Sequence, residues 1–357
     1  MCVCVNIFTY MHIVDYSNLI SIENLFQAWS EFRKGKTKRL DVQIFERHLE
    51  DNLFTLYQKL KSKTYRHGSY HSFYVQDPKQ RHIHKAGVSD RVIHHLLYTF
   101  LYKLFDKTFI HDSYSCRLEK GTHRGVKRLE VFARKVSKNY TGSCWALKCD
   151  IKKFFASVDH KILLNLLKEK IKDGNILWLL CGVIESFNSE STLALQGVPL
   201  RRYKGIPLGN LTSQIFANIY LNELDQFVKH DLKVKYYMRY ADDFIFLSED
   251  KKCLSGYVDK LKQFLSEELK LELHPKKIIL RKLGWGIDFL GYVVLPYYIV
   301  PRAKTRRRIF KKIKEKVSLE NFNQSMQSYL GYLGHANSFK ITQKLKNQAW
   351  FWNTNGS

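Results

Sequence analysis

Apolar and polar residues follow two different spacings along this chain, and the spacing changes several times. Residues 20–62 place leucine and aromatic side chains at three- and four-residue steps, which predicts amphipathic helices. Residues 70–75 alternate as a strand does, and residues 145–151 predict a buried strand. Aromatic and β-branched runs at 234–239 and 244–247 flank a short acidic break and predict a β-hairpin.

Two adjacent carboxylates, Asp242 and Asp243, lie at the tip of the predicted hairpin. They repel each other, so folding brings them together at a cost unless a cation neutralises them. Oxygen ligands of this kind suit Mg²⁺, which usually takes one or two carboxylates together with substrate phosphates. The tip therefore indicates phosphoryl-transfer chemistry on a nucleotide, and a solvated acidic turn is the alternative.

A third carboxylate, Asp150, lies at the end of the predicted strand 145–151. Burying it without a partner would be expensive. A strand-terminal acid and a hairpin-tip pair can together hold two metal ions, which activate a 3′-hydroxyl and stabilise a leaving pyrophosphate. The alternative is a capping carboxylate at the junction with the next helix, for which Ser157 or Asp159 is the predicted N-cap.

Five segments resemble, in order, the sequence blocks of a reverse transcriptase, and together they extend over nearly the whole chain. These segments are 150–155, 205–214, 240–243, 271–277 and 289–292. The resemblance implies an α+β, right-hand polymerase fold with fingers, a palm built on an antiparallel sheet, and a helical thumb. The implied domains are an N-terminal helical extension 1–62, fingers 63–140, a palm 141–295 interleaved with the fingers, and a thumb 296–357.

The thumb region contains a cationic segment, 302–316, that predicts a helix with Ile309, Ile313 and Val317 on its apolar side. Such a helix could rest on the sugar-phosphate backbone of an A-form duplex, which is recognised by shape. We expect no RNase H or endonuclease domain after it.

The resemblance also implies roles for the carboxylates and for one aromatic residue. Asp150 and Asp242 would be the principal ligands of two Mg²⁺ ions, which Mn²⁺ can replace, and Asp243 would assist in neutralising charge. Phe155, five residues after Asp150, resembles the steric gate that blocks a nucleotide 2′-hydroxyl. Its neighbour Phe154 is expected in the core.

Basic residues are expected to contact the nucleotide and the template. Lys79 and Arg81 are two residues apart, so both would point to one face of a strand and could grip a triphosphate. Lys277 resembles a palm lysine that can protonate the leaving pyrophosphate, and Lys276 is the alternative. Candidate contacts to the template backbone are Arg117 and Lys120. The segment that resembles the primer grip consists of Phe289, Leu290, Gly291 and Tyr292.

The block 205–214 departs from the usual reverse transcriptase pattern. Most members carry Gln before the glycine and Pro after the serine, whereas this chain has Leu208 before Gly209 and Gln214 after Ser213. This pattern resembles the reverse transcriptases of diversity-generating retroelements, as do the segments 113–123 and 328–336. Gln offers a donor and an acceptor to the nascent base pair and Leu offers neither, so Leu208 is expected to lower fidelity. Leu208 alone does not explain why errors in that subfamily concentrate opposite template adenines.

Composition agrees with a nucleic-acid partner. The chain has 59 Lys and Arg residues against 33 Asp and Glu, a formal net charge of +26, which implies a polyanionic partner. Its aromatic residues suffice for a core and for stacking on bases. No C-x₂-C pair is present among seven cysteines, so a zinc site is not expected. The apolar N-terminus lacks a charged leader and is too short to span a membrane, so we expect a cytoplasmic protein.

The sequence therefore predicts an RNA-directed DNA polymerase that uses dNTPs and a template RNA. By resemblance, it makes error-prone cDNA from the template-repeat RNA of a diversity-generating retroelement, with a small, basic, pentameric accessory protein as partner. One alternative is a retron-type or group II intron-like reverse transcriptase in defence or mobility. Another is a non-catalytic RNA-binding scaffold, which would not need clustered carboxylates.

Overall fold

Helices and strands alternate along most of the chain in the computed structural model, which describes residues 15–76, 79–187, 204–317 and 319–354. Asp77 and Pro78, in the turn expected between the first two strands, lie outside the described residues. The helices are α1 Tyr16–Leu19, α2 Ile22–Arg33, α3 Leu40–Arg47, α4 Leu49–Lys61, α5 Val88–Phe105, α6 Thr122–Val136, α7 Phe154–Ser157, α8 His160–Lys170, α9 Gly174–Glu185, α10 Leu211–Gln226, α11 Lys251–Glu267, α12 Ala303–Lys314, α13 Phe322–Leu333 and α14 Phe339–Thr354. The strands are β1 His71–Gln76, β2 Gln80–Lys85, β3 Trp145–Asp150, β4 Tyr237–Tyr240, β5 Asp243–Ser248, β6 Ile279–Lys282, β7 Ile287–Phe289, β8 Tyr292–Leu295 and β9 Tyr298–Pro301.

The central sheet has the strand order β4-β5-β3-β6, and every neighbouring pair in it is antiparallel. Its two inner strands are covered on both faces. Leu147 and Phe246 belong to one hydrophobic core, whereas Ala146 and Leu247, their chain neighbours, belong to a second core. Because side chains alternate between faces, a strand covered on both sides is a continuous apolar run. This explains the apolar runs that predicted the buried strand and the hairpin, both of which are confirmed.

Helices supply most of the first core. The N-terminal helices α2 and α4 pack with α5, and α8 to α11 cover the same face of the central sheet. The helices predicted within residues 20–62 are thus confirmed. Asp159 is the N-cap of α8, where its carboxylate accepts hydrogen bonds from the backbone amides of Lys161 and Ile162. Ser157 instead ends the short helix α7.

The second core joins the other face of the central sheet to α6 and to a three-stranded sheet, β7-β8-β9. A third, smaller core holds the last three helices together through Ile309 and Ile313 of α12, Leu333 of α13 and Leu345 of α14. The predicted apolar stripe of α12 is confirmed at Ile309 and Ile313, whereas Val317 lies beyond the end of that helix. Within the described ranges, no helix has the length and hydrophobicity that crossing a membrane requires.

A fully buried ion pair fastens β4 to α10. The guanidinium of Arg239 donates to both carboxylate oxygens of Asp225, at 2.8 and 2.6 Å, and the Tyr237 hydroxyl donates to the same carboxylate at 2.7 Å. Asn218 accepts a further bond from Arg239. Buried charges of this kind depend strongly on each other, because a single unpaired charge in the interior is costly.

We predict that Asp225→Asn lowers the free energy of unfolding by about 3–5 kcal/mol, since it leaves the Arg239 charge buried and uncompensated. Urea denaturation followed by circular dichroism measures this loss. Asp259→Asn is the matched control, because Asp259 pairs with Lys262 on the exposed surface of α11 and should cost less than about 1 kcal/mol. Equal losses in the two variants would contradict the prediction.

Candidate functional site

Three carboxylates meet at one end of the central sheet. Asp150 is the last residue of β3 and lies directly opposite Asp243, the first residue of β5, in the antiparallel register. Asp242 belongs to the two-residue turn between β4 and β5, and its carbonyl accepts a hydrogen bond from the Ile151 amide at 3.3 Å. The fold therefore brings together the three acids that the sequence singled out, although about ninety residues separate the first from the other two.

The turn that contains Asp242 is stabilised by a hydrogen bond from a buried arginine. Ala241 has a φ of 52°, in the left-handed region that residues with a side chain rarely adopt. The buried Arg239 guanidinium donates a hydrogen bond to the Ala241 carbonyl at 3.2 Å. The ion pair between Arg239 and Asp225 thus stabilises the strained turn as well as the sheet.

Burial makes this corner unfavourable for negative charge. Burial is the main cause that raises the pKa of Asp243, the charges of Asp150 and Asp242 add to it, and Lys148 opposes it, so that the resulting pKa is about 6. Burial also raises the pKa of Asp242, as does Asp150, while Lys277 and Arg81 act in the opposite direction. One oxygen of Asp243, Oδ1, is buried without a hydrogen-bond partner. An additional cation at this corner would therefore be stabilising.

Two lysines contact the carboxylates directly. The Lys148 ammonium lies 3.0 Å from Asp243 Oδ2, and the Lys277 ammonium lies 2.6 Å from Asp150 Oδ1. Lys277 rather than its exposed neighbour Lys276 therefore contacts the acidic corner. Lys148 also donates a hydrogen bond to the Asp288 carbonyl at 3.3 Å, which links the corner to the three-stranded sheet β7-β8-β9.

The residues fit a divalent cation that is completed by substrate. Three carboxylates and an unpartnered buried oxygen supply hard oxygen ligands of the type that Mg²⁺ prefers. Among the described residues, however, no group of three or more His, Cys, Asp or Glu side chains is arranged to hold a metal ion alone. Mg²⁺ usually completes its ligand set with water and substrate phosphates, so a corner of this kind would bind ions together with a nucleotide.

The loop 205–210 connects this corner to the hairpin β1–β2. On one side, the Ile206 amide donates to the Phe155 carbonyl at 2.7 Å. On the other side, the His84 amide donates to the Leu208 carbonyl at 2.9 Å, and the Asn210 side chain donates to the His84 carbonyl at 2.7 Å. Phe154 is buried in the first core as expected, and Phe155 is only half-buried.

Gly209 is required where this loop meets β2. Its φ is +114°, and a Cβ atom on it would lie 2.7 Å from Ile83 Cγ2. A side chain would therefore clash and strain the backbone. Leu208 is half-buried beside Gly209, whereas Gln214 is exposed in the first turn of α10.

The two basic residues of the hairpin differ in position. Arg81 is in β2, exposed, and close enough to the acidic corner that its charge lowers the pKa of Asp242. Lys79 precedes β2, in a bend, so the expectation that both side chains share one face of a strand is wrong for Lys79. The strand begins only at Gln80.

Residues 289–292 form the tight turn between β7 and β8. Phe289 and Tyr292 are opposite each other in the register, and Leu290 and Gly291 between them have positive φ values of 49° and 90°. Positive φ at both central residues is typical of the turns that suit the twist of a two-residue β-hairpin.

Arg117 is structural rather than available to a template. Its side chain is only 8% exposed and donates to Asp106 Oδ1 at 2.6 Å and to the Ile110 carbonyl at 2.7 Å. Lys120 donates to the His111 carbonyl at 2.9 Å. The expected role of Arg117 as a phosphate contact is therefore wrong, because the guanidinium is already engaged inside the fold.

Three residues at the site were not found by sequence reasoning. Lys148 lies two positions before Asp150, and that spacing places both side chains on one face of β3, which could have indicated it. Arg239 precedes the acidic turn, but its partner Asp225 is on another element, so no local pattern reveals the pair. Asn210 likewise gains its partners only when β2 packs against the loop.

Comparison with known proteins agrees with this geometry. Residues 76–294 match the family described as reverse transcriptase (RNA-dependent DNA polymerase). The group II intron-encoded protein LtrA of Lactococcus lactis is 23% identical over 93% of this chain, and protein YkfC of Escherichia coli is 22% identical over 60% of it. In both cases this chain covers 63% of the relative's length. Among solved structures, apo telomerase from Candida tropicalis superposes with a TM-score of 0.52 and 12% identity, covering 81% of this chain and 59% of the telomerase.

We predict that Asp243→Asn stabilises the protein at pH 7 in the absence of divalent ions, by on the order of 1–3 kcal/mol. The ordinary pKa of an aspartate is 3.8 and that of Asp243 is about 6, so the native state binds this proton more tightly than the unfolded state. The group therefore lowers wild-type stability as pH rises from about 4 to about 6. The gain in the variant should shrink as pH falls below about 6 and vanish by about pH 3, where wild-type Asp243 is neutral in both states.

Urea denaturation across this pH range measures the gain, and Asp259→Asn should show none of it. A divalent cation should reduce the gain by stabilising the wild-type protein. A gain that is independent of pH would contradict the prediction.

Proposed function

We infer the function from one premise: this chain belongs to the reverse transcriptase (RNA-dependent DNA polymerase) family. The likeness to the telomerase confirms the α+β, right-hand polymerase fold expected from the sequence. We propose that the chain is an RNA-directed DNA polymerase, which extends a primer with dNTPs along a template RNA. This chain spans 63% of the length of LtrA and of YkfC.

The convergence of Asp150, Asp242 and Asp243 carries the proposal. Asp150 and Asp242 would be the principal ligands of two divalent ions, Mg²⁺ with Mn²⁺ as a substitute, and Asp243 would help to neutralise them. When bound, such ions supply activation of the primer 3′-hydroxyl and stabilisation of the pyrophosphate. The family as a whole uses divalent metal ions.

The residues around the acids have roles that their positions support. Arg81, exposed and within electrostatic reach of Asp242, would bind the triphosphate by its guanidinium, with Lys79 in support. Lys277 would exchange its contact with Asp150 for the leaving pyrophosphate and donate a proton from Nζ. The half-buried ring of Phe155 would lie against the sugar and exclude a 2′-hydroxyl. Leu208 and Gly209 would lie beside the nascent base pair.

The domain assignment follows the same proposal. Residues 1–62 would form an N-terminal helical extension and residues 63–140 the fingers. Residues 141–295 would form the palm, interleaved with the fingers, and residues 296–357 the thumb. The turn 289–292 would grip the primer strand. The cationic face of α12, opposite the buried Ile309 and Ile313, would contact the backbone of the template RNA and cDNA duplex.

We propose further that this polymerase makes error-prone cDNA from the template-repeat RNA of a diversity-generating retroelement. Leu208 and Gln214, in place of the usual Gln and Pro, support this assignment, as do the segments 113–123 and 328–336. Its partner would be the small, basic, pentameric accessory protein of that subfamily, and its location would be cytoplasmic.

A group II intron-like reverse transcriptase is the second candidate, because LtrA matches 93% of this chain. The two candidates differ in the DNA around the gene. A diversity-generating retroelement is flanked by two near-identical repeats that differ mainly at adenines, and an intron is not. A non-catalytic RNA-binding scaffold is the third candidate, which the intact acidic triad disfavours.

We predict that Asp242→Asn lowers primer extension on an RNA template at least about 100-fold, because it removes charge stabilisation at the reacting centre. The assay is single-nucleotide extension in Mg²⁺ buffer, with the accessory protein supplied if the isolated chain is inactive. Duplex binding should be retained, and Asp259→Asn should extend as wild type does. Extension by Asp242→Asn at the wild-type rate would contradict the role of Asp242 as a metal ligand, whereas duplex binding without any extension by the wild-type protein would favour the scaffold candidate.

We predict that Leu208→Gln lowers misincorporation opposite template adenine by about two- to tenfold, the worth of one added hydrogen bond. Sequencing of the cDNA product measures the error frequency at each template base. Leu208→Met is the matched control, since it adds no donor and only the weak acceptor of a thioether, and it should keep the wild-type spectrum. An unchanged error spectrum in Leu208→Gln would contradict a role of Leu208 in fidelity.

A further inference from the structure

The segments 113–123 and 328–336 both resemble the diversity-generating retroelement subfamily. They are far apart in the chain, and both contact the turn 289–292. The rings of His123, near the start of α6, and His335, just after α13, are stacked with centroids 3.6 Å apart. Tyr332 of α13 stacks on Tyr292 of β8 with centroids 4.6 Å apart. The His123 ring nitrogen Nδ1 lies 3.2 Å from the Tyr292 hydroxyl. Four aromatic rings from three parts of the chain thus form one cluster.

Hydrogen bonds cross this cluster in both directions. The Tyr332 hydroxyl donates to the Gly291 carbonyl at 2.7 Å, and the Tyr292 hydroxyl donates to the Tyr332 carbonyl at 2.9 Å. Burial raises the pKa of Tyr332 and of Tyr292, so both hydroxyls keep the protons that they donate. The contact with Gly291 is close, because a Cβ atom there would lie 3.0 Å from the Tyr332 hydroxyl. Helix α13 therefore contacts the turn at Gly291, where the backbone has a positive φ and a side chain would meet the Tyr332 hydroxyl.

The same turn is connected to the acidic corner. The Asp288 carbonyl, one residue before Phe289, accepts from Lys148, whose ammonium pairs with Asp243. The Asp288 carboxylate pairs with Arg302, and the Arg302 amide donates to the Gly291 carbonyl at 2.9 Å. The turn is thus attached near Asp288 on the side of the acidic corner and at Gly291 on the side of the C-terminal helices.

We propose that His123, Tyr292, Tyr332 and His335 form a latch by which the C-terminal helices position the turn 289–292 against the primer strand. This inference rests on the proposed polymerase function and assigns Tyr332 as a positioning residue. Helices α12 to α14 share a small core of their own and are held to the second sheet in part by this latch. Loss of the latch would let the turn move relative to the duplex while the acidic corner stays intact.

Tyr332→Phe tests the latch, because it removes the hydroxyl that donates to Gly291 and keeps the stacked ring. The expected result is about a three- to tenfold weaker affinity for the primer–template duplex, the worth of one hydrogen bond, with shorter products per binding event. The KM for dNTP should stay within about twofold, because the residues proposed to bind the nucleotide, Arg81, Phe155 and Leu208, are not part of the latch. Tyr329→Phe is the matched control, since Tyr329 is on the same helix and packs in the third core.

A second measurement does not need activity. Hydrogen–deuterium exchange of the peptide 287–295 should become faster in Tyr332→Phe and remain at the wild-type rate in Tyr329→Phe. Wild-type affinity together with wild-type exchange in Tyr332→Phe would overturn the latch. Equal effects of both variants on affinity and exchange would also overturn it, because they would indicate general loosening of the helices.

The outcome is separable from that of the proposed function. If the wild-type protein does not extend a primer, the polymerase assignment fails, whereas duplex binding and exchange still decide whether Tyr332 positions the turn.

Discussion

Crowding of negative charge at one corner of the central sheet is the constraint on which the site depends. Asp150 and Asp243 face each other across β3 and β5, and Asp242 lies in the adjoining turn. Burial raises the pKa of both hairpin acids, so the fold itself works against their ionisation. Lys148 and Lys277 offset part of this charge in the protein alone, and bound cations would offset the rest. The corner is thus stable enough to form and still favours cation binding.

The supporting structure keeps this corner in place from two sides. On one side, the buried ion pair between Arg239 and Asp225 connects β4 to α10, and Arg239 also donates a hydrogen bond to the Ala241 carbonyl in the turn. Beside it, Lys148 reaches from Asp243 to the backbone of the second sheet. The pair between Arg239 and Asp225 is fully buried and that between Lys148 and Asp243 is partly buried, and each connects the corner to a neighbouring element.

The loop 205–210 connects the parts of the molecule that would contact a nucleotide. It bonds to the backbone of Phe155 on one side and to His84 of β2 on the other, and β2 also contains Arg81. Leu208 lies between these two attachments, so its side chain is positioned relative to both. This arrangement explains why a single substitution in the loop is expected to affect fidelity. The close packing of this loop against β2 requires glycine at position 209, since a side chain there would clash with Ile83.

The sequence by itself determined the elements and the acids. Residue spacing identified β3, the hairpin and the helices of residues 20–62, because local periodicity directly reports which faces are buried. It misplaced Lys79 and misjudged Arg117, since the start of a strand and the partner of a buried cation are not local properties. Only the tertiary structure decided that Arg239 pairs with Asp225, that Lys148 joins Asp243 to Asp288, and that Tyr332 contacts Gly291. Such contacts join residues far apart in the chain, and their energies come from burial that exists only after the elements have packed.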